Sequence, residues 1–217
     1  GNLKFATPKL PVDAAELARL GALLAGRPVW LAASTHAGEE ALVVALHRQL
    51  AARHPGLLTM IVPRHPQRGA EVAGLAEGLA VTRRGLGEDP PPAPGLWVGD
   101  TLGEMGLYYR LAPIVFVGRS LVPLGGQNPL EPARLGCAVA VGPHTFNFVE
   151  PVRVLAEGDA LTRLDDAAAL GAWVDTMLRH PSARAALGAA AMAVASRDQD
   201  LPGRVAAMLA ELAGYAP

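Results

Sequence analysis

Short runs rich in Val, Ile and Leu alternate along the chain with longer Ala- and Leu-rich stretches. Val29–Ala33 is an unbroken apolar run, the pattern of a strand buried on both faces. In Glu39–Arg53, Leu42, Val43, Leu46 and Leu50 form one stripe at helical spacing. Leu57–Val62 reads as a second strand stopped by Pro63, Gln67–Glu77 as a helix and Leu79–Thr82 as a third strand. Gly87–Gly95 holds four prolines and is a surface loop. Leu96–Val98, Ile114–Val117 and Ala138–Val141 are the next strands, with a helix over Leu102–Leu111 and a short one after the Gly118–Gly126 loop. Asn147–Ala156 is a helix and Ala160–Leu164 a possible short strand. Asp165–Arg179, Ser182–Ser196 and Pro202–Ala213 read as consecutive helices.

Strands alternating with helices imply right-handed βαβ units. The expected fold is therefore α/β, with a mostly parallel sheet of six strands. Such sheets bind ligands beyond the carboxyl ends of their strands. The loops to inspect are therefore Ser34-Thr35-His36, Pro63-Arg64-His65-Pro66, Gly99-Asp100-Thr101, Gly118 to Asn128, and Gly142 to Asn147.

Composition narrows the choice. The 217 residues suit one large domain or two small ones, and 51% are hydrophobic against 18% charged, so a substantial core can form. A net charge of -1 gives no broad basic face for nucleic acid. Among 19 basic residues only Lys4 and Lys9 are lysines; the rest are arginines, whose planar fork suits phosphate and carboxylate. The single cysteine, Cys137, excludes an internal disulfide and reads as inert core. No apolar run is long enough to span a bilayer, and Gly1–Leu10 does not have the pattern of a signal peptide. A start on Gly1 rather than Met reads as a fragment or tag remnant.

No phosphate-binding P-loop, no G-x-G-x-x-G after the first strand and no G-x-S-x-G elbow occurs. His36 and His65 have no partners at metal spacing, which speaks against zinc. His47, His54 and His180 read as surface residues.

Two loops stand out. In Pro63-Arg64-His65-Pro66 the prolines extend the backbone and aim Arg64 off the end of a strand, where it suits a phosphate or carboxylate. In Gly125-Gly126-Gln127-Asn128-Pro129-Leu130-Glu131-Pro132, Asn128 suits an N-cap and the glycines let backbone N–H groups approach a ligand. The start of the following helix favours an anion. Glu131 admits two readings. As a carboxylate it can accept both hydroxyls of a sugar diol. It also fits a capping box, because Asn128-x-x-Glu131 recurs as Asn147-x-x-Glu150 and Thr101-x-x-Glu104. Glu39 and Glu40 fall in a first helical turn and read as structural, while Ser34 or Thr35 can donate to a phosphate or sugar.

Five segments in this order resemble one family: Ala33-Ser34-Thr35-His36-Ala37-Gly38-Glu39, Val62-Pro63-Arg64-His65-Pro66, Val98-Gly99-Asp100-Thr101-Leu102-Gly103-Glu104, Gly125 to Pro132, and Gly142-Pro143-His144-Thr145-Phe146-Asn147-Phe148. They are similar to the 3-deoxy-D-manno-octulosonic acid (Kdo) transferases of lipopolysaccharide synthesis. Gly1-Asn2-Leu3-Lys4-Phe5 looks like the segment entering that family's C-terminal domain.

The resemblance implies that residues 1–217 form the Rossmann-like C-terminal half of an inverting GT-B glycosyltransferase. It implies CMP-Kdo as donor, a lipid A precursor as acceptor, and no cofactor or metal. Arg64 would bind the CMP phosphate, Gly125 and Gly126 would approach the donor's anionic groups, and Asn128 and Glu131 would hold the phosphate side and the ribose hydroxyls. Leu102 and Gly103 would lie near the cytosine, and Ser34 near the phosphate or sugar. Leu102 stands where the family often has Met, and Gln127 where it often has His. The N-terminal half, with its membrane anchor, acceptor contacts and acidic base, is not among these residues. The expectation is a donor domain that binds CMP without turnover. In the whole protein it would work at the cytoplasmic face of the inner membrane, with membrane contact only through the missing half. Two other readings remain: another GT-B nucleotide-sugar enzyme, such as a UDP-sugar transferase or epimerase, or a non-catalytic nucleotide-binding module.

Overall fold

The computed structural model describes residues 9–92, 94–197 and 206–208. Seven parallel strands form one sheet: β1 (Val29–Thr35), β2 (Leu58–Pro63), β3 (Ala80–Arg83), β4 (Gly95–Val98), β5 (Ile114–Val117), β6 (Ala138–Val141) and β7 (Thr162–Arg163). Their order is β3-β4-β2-β1-β5-β6-β7. The expected sheet of six gains β7, a two-residue edge strand inside the Ala160–Leu164 segment. Two residues at a sheet edge leave almost no periodic signal.

Eight helices cover the sheet among the described residues: α1 (Ala14–Leu23), α2 (Glu39–Ala51), α3 (Gly69–Gly74), α4 (Met105–Leu111), α5 (Leu130–Arg134), α6 (Val149–Glu157), α7 (Ala167–Arg179) and α8 (Pro181–Ala195). Alternation along each strand sends side chains to both faces. From β1, Leu31 and Ala33 enter a core with Leu20, Leu107, Leu130, Val152 and Ala191. Trp30 and Ala32 enter the opposite core with Val43, Leu46, Leu50, Val72 and Val174. Both faces of the sheet are thus covered, as an all-parallel sheet requires.

Several boundaries depart from the sequence expectation. Helix α1 was not anticipated; Asp13 caps it by accepting the N–H groups of Ala15 and Glu16. The Gln67–Glu77 helix is a 3-10 turn at Pro66–Arg68 followed by the short α3. Helix α4 starts three residues late because Gly103 takes a left-handed φ of 81° and turns the chain before it can coil. The opening segment Gly1–Phe5 and most of the expected helix Pro202–Ala213 lie outside the described residues. Two histidines read as surface residues are not. His47 is fully buried with Nδ1 at 2.8 Å from the Thr59 hydroxyl, and His54 is bonded through Nε2 to Asp175 at 2.8 Å. Among the described residues, no helix is long and apolar enough to cross a membrane.

Candidate functional site

The strand order reverses between β1 and β5, whose neighbours run outward in opposite directions. A crevice opens at such a point beyond the carboxyl ends of the strands. Ser34 sits there as the extra residue of a bulge: Ala33 pairs with Val62 and Thr35 with Pro63. Its φ of 54° is left-handed, so the bulge re-aims a side chain that would otherwise continue the strand's alternation. Arg64 follows β2, and its N–H donates to the Thr35 carbonyl at 3.0 Å.

Loops after β1, β2 and β5 meet around a cavity of about 300 Å³ lined by Ser34, Arg64, Gly103, Gln127, Asn128 and Glu131, with Leu10, Met105, Gly106 and Tyr109 completing the wall. Arg64 and the Gly125–Glu131 turn therefore share one site. Leu102 does not line it; 81% exposed, it borders an adjoining hollow of about 290 Å³ with Pro11 and Glu16, joined to the cavity through Gly103. A larger hollow of about 520 Å³ lies beside α6, away from the reversal point, and its Arg153 is already paired with Glu157 at 2.7 Å.

Gly125 and Gly126 shape the turn without lining the cavity. Both have positive φ, 95° and 77°. A Cβ on Gly125 would lie 2.2 Å from the Asn147 amide nitrogen and 2.6 Å from the Phe146 ring. The Gly126 N–H donates to the Arg119 carbonyl at 2.7 Å, so it closes the β5 loop instead of facing a ligand. Asn128 Oδ1 accepts the Leu130 N–H at 3.1 Å, and α5 runs for only five residues.

The repeated capping-box pattern resolves into three different arrangements. Glu131 accepts the Asn128 side-chain amide at 3.4 Å. Glu104 pairs with Arg84 at 2.7 Å and accepts the Thr101 hydroxyl. Asn147 donates to the Leu124 carbonyl at 3.1 Å, and α6 has no side-chain cap. Burial raises the pKa of Glu131, against lowering by Asn128, Arg134 and Arg64.

Glu39 organises the loops behind the cavity. Fully buried at the start of α2, its carboxylate accepts the backbone N–H groups of His36 (3.0 Å), Arg119 (2.6 Å), Ser120 (3.0 Å) and Leu121 (3.0 Å). Beside it, His36 Nδ1 lies 3.2 Å from the Ser34 carbonyl, and the His36 and His65 rings meet edge to face at 5.7 Å. Burial lowers the pKa of His36; the Ser34 carbonyl and Glu39 oppose this, and the charges of Arg119 and His65 add to it.

Sequence reasoning missed Tyr109 and Met105 as cavity walls. Tyr109 is 3% exposed, and burial drives its pKa well above the ordinary value. Cys137 is buried, donates to the Tyr109 carbonyl at 3.1 Å and has its thiol pKa pushed up by burial to about 12, which makes it inert. Among the described residues, no three metal-ligating side chains converge.

A parallel sheet with this strand order, carrying at its reversal point a crevice with an exposed arginine, a hydroxyl, an amide and a half-buried carboxylate, is the C-terminal half of a GT-B glycosyltransferase. No protein-family profile matches the chain. The crystal structure of the C-terminal CMP-Kdo binding domain of WaaA from Acinetobacter baumannii superposes with a TM-score of 0.80 at 31% identity, covering 90% of this chain and 100% of that one. The 3-deoxy-D-manno-octulosonic acid transferase of Haemophilus influenzae is 42% identical over 165 residues, 75% of this chain and 39% of the relative. The Bordetella pertussis transferase is 41% identical over 200 residues, 89% of this chain and 46% of the relative. The chain belongs to the 3-deoxy-D-manno-octulosonic acid transferase family and corresponds to its C-terminal domain. It spans somewhat under half the length of these curated relatives.

Proposed function

We propose that this chain binds CMP-Kdo and supplies the donor half of an inverting Kdo transferase acting on a lipid A precursor. One observation carries the reading: Arg64, Asn128 and Glu131, from two loops far apart in sequence, line one cavity at the sheet's reversal point. In this reading Arg64 takes the phosphate, Asn128 its flank, Glu131 the ribose diol and Ser34 the phosphate or sugar. The Tyr109 and Met105 side adjoins Gly103 and Leu102, where the base is assigned.

The chemistry follows from charge. As the bond from the Kdo anomeric carbon to the phosphate oxygen breaks, positive charge grows on the sugar and negative charge on the departing CMP. Arg64 stabilises the latter without a metal; one well-placed donor lowers such a barrier by roughly 3 kcal/mol. A base from the acceptor half removes the proton of the attacking hydroxyl on the opposite face of the sugar. The chain by itself then binds donor without transfer. The whole enzyme works at the cytoplasmic face of the inner membrane, which its other half contacts.

The test is a thermal-shift series with CMP, UMP and GMP. CMP is expected to raise Tm most. An equal or larger shift with UMP moves the chain to the UDP-sugar enzymes, and no shift with any of the three removes the nucleotide reading.

A further inference from the structure

CMP-Kdo is the ester of a nucleotide with a sugar acid, so it brings two anionic groups: the bridging phosphate and the sugar's carboxylate. Arg64 answers one of them. Most arginines among the described residues are already engaged: Arg19, Arg53, Arg68, Arg83, Arg84, Arg153 and Arg179 with carboxylates, and Arg48, Arg110 and Arg184 with carbonyls. Arg119 is different. Its Nε is buried without a hydrogen-bond partner, and among the described residues its guanidinium has no ion pair. Such an orphaned donor is costly to keep unless something occupies it.

The backbone under Arg119 is held in place. It has a left-handed φ of 59°, unfavourable for any residue with a Cβ. Its N–H is fixed by Glu39 at 2.6 Å and its carbonyl by the Gly126 N–H at 2.7 Å. Strain enforced from both sides marks ligand clamps. Arg119 does not itself line the cavity, but its backbone abuts the residues that do. Gly118, the preceding residue, donates to the Ala33 carbonyl at 2.7 Å, one residue before Ser34, and Gln127 and Asn128 follow Gly126 into the cavity. The charge of Arg119 is felt at His36, whose ring meets that of His65, the residue after Arg64. The carboxylate that holds its backbone, Glu39, is filled by four backbone N–H groups.

We propose that Arg119 is a second anion-binding residue of the donor site, taking the sugar's carboxylate while Arg64 takes the phosphate. The inference rests on the CMP-Kdo reading above. A guanidinium presents its donors in the fork that a carboxylate matches.

The test is calorimetry of the 217-residue chain with CMP and with CMP-Kdo, for the wild type, Arg119→Gly and Arg119→Lys. Glycine accepts the left-handed φ, so Arg119→Gly is expected to keep or raise Tm. It should weaken CMP-Kdo about tenfold or more while CMP changes less than about threefold. Lysine should recover part of the loss. Should the glycine variant not fold, Arg119→Gln keeps the Cβ–Cδ stem, removes the charge and reads the same difference. Equal losses for the two ligands, or no loss for CMP-Kdo, overturn the proposal. A wild-type chain that binds neither ligand overturns the donor reading itself; one that binds both, with Arg119→Gly unchanged, removes only the role of Arg119.

Discussion

The Glu39 carboxylate accepts the Arg119 N–H at 2.6 Å across 80 residues of sequence, which ties the start of α2 to the loop after β5. The same carboxylate serves three further N–H groups and has no contact with solvent. Glu39→Gln keeps the shape but turns an amide NH2 toward those donors. We expect a loss of about 2–4 kcal/mol of stability, since charge-assisted bonds are lost and buried N–H groups left unsatisfied. Urea unfolding measures it. A loss under about 0.5 kcal/mol would mean that water replaces the carboxylate at no penalty.

Arg64 is exposed and has no ion pair among the described residues, so its removal should leave folding intact. Arg64→Ala is expected to hold Tm within about 1 °C while weakening CMP about tenfold or more, the worth of one charge-assisted phosphate contact. Transfer by the full protein should vanish. Unchanged CMP affinity by calorimetry would remove Arg64 from the phosphate.

Much of this was legible beforehand, for reasons that differ by element. Strands β5 and β6 are unbroken apolar runs, β1 is one up to Ala33 and β2 is broken only by Thr59, and the placing of chemistry after them follows from parallel topology. Helix α1 obeys ordinary rules, with Asp13 as cap and Leu17, Leu20 and Leu24 as its stripe, but its many Ala residues blur the contrast. His47 is hidden because α2 is buried over a wider arc than its main stripe suggests. At the site, Arg64 and Asn128 announce themselves as polar residues in loops, and Glu131 as an acid in a first helical turn. Tyr109 and Met105 do not, because an apolar side chain on a helix reads the same whether it faces a core or a cavity. The role of Glu39 was out of reach: an acid in a first turn always suits the dipole, and its true partners are set by tertiary contact.

Ser34 offers a stability test of the bulge. A residue with a Cβ at φ 54° carries strain of about 1–2 kcal/mol, which glycine relieves while adding unfolded-state entropy of similar size. Ser34→Gly should therefore leave Tm within a few degrees, whereas Ser34→Val, branched at Cβ, should lose about 2 kcal/mol or more. Both remove the hydroxyl, so both should weaken CMP-Kdo binding. If Ser34→Gly binds the donor as the wild type does, the hydroxyl is not a ligand contact.

His47 gives the chain an acid-sensitive step. Burial, with a smaller push from Arg48, lowers its pKa from 6.5 to about 4. The unfolded chain thus binds a proton that the folded chain refuses, and stability falls as pH drops from 6.5 toward 4. The full effect is roughly 3 kcal/mol, and roughly 2 of it is gone by pH 5. Urea unfolding at pH 7 and 5 should show the difference, and His47→Gln, which keeps a polar partner for Thr59, should flatten it. An equal slope in the variant would assign the acid sensitivity elsewhere.

Glu131 sets stability against binding. Its pKa is raised, chiefly by burial, so the folded chain binds a proton more readily than the unfolded one. Stability therefore declines as pH rises from the unfolded carboxyl value through the higher folded one, and at neutral pH the ionised Glu131 is a liability to the empty fold. Glu131→Gln removes the ionisation and keeps a carbonyl oxygen to accept the Asn128 amide. Its Tm is expected above that of the wild type at pH 7 and level with it near pH 4, where the wild-type carboxyl is protonated too. Binding should move the other way. A neutral amide cannot accept two hydroxyl hydrogens as a carboxylate does, so CMP should weaken more than its 2′-deoxy analogue, narrowing the gap between them. A rise in Tm together with equal losses for both nucleotides would leave Glu131 a buried acid with no part in holding the ribose.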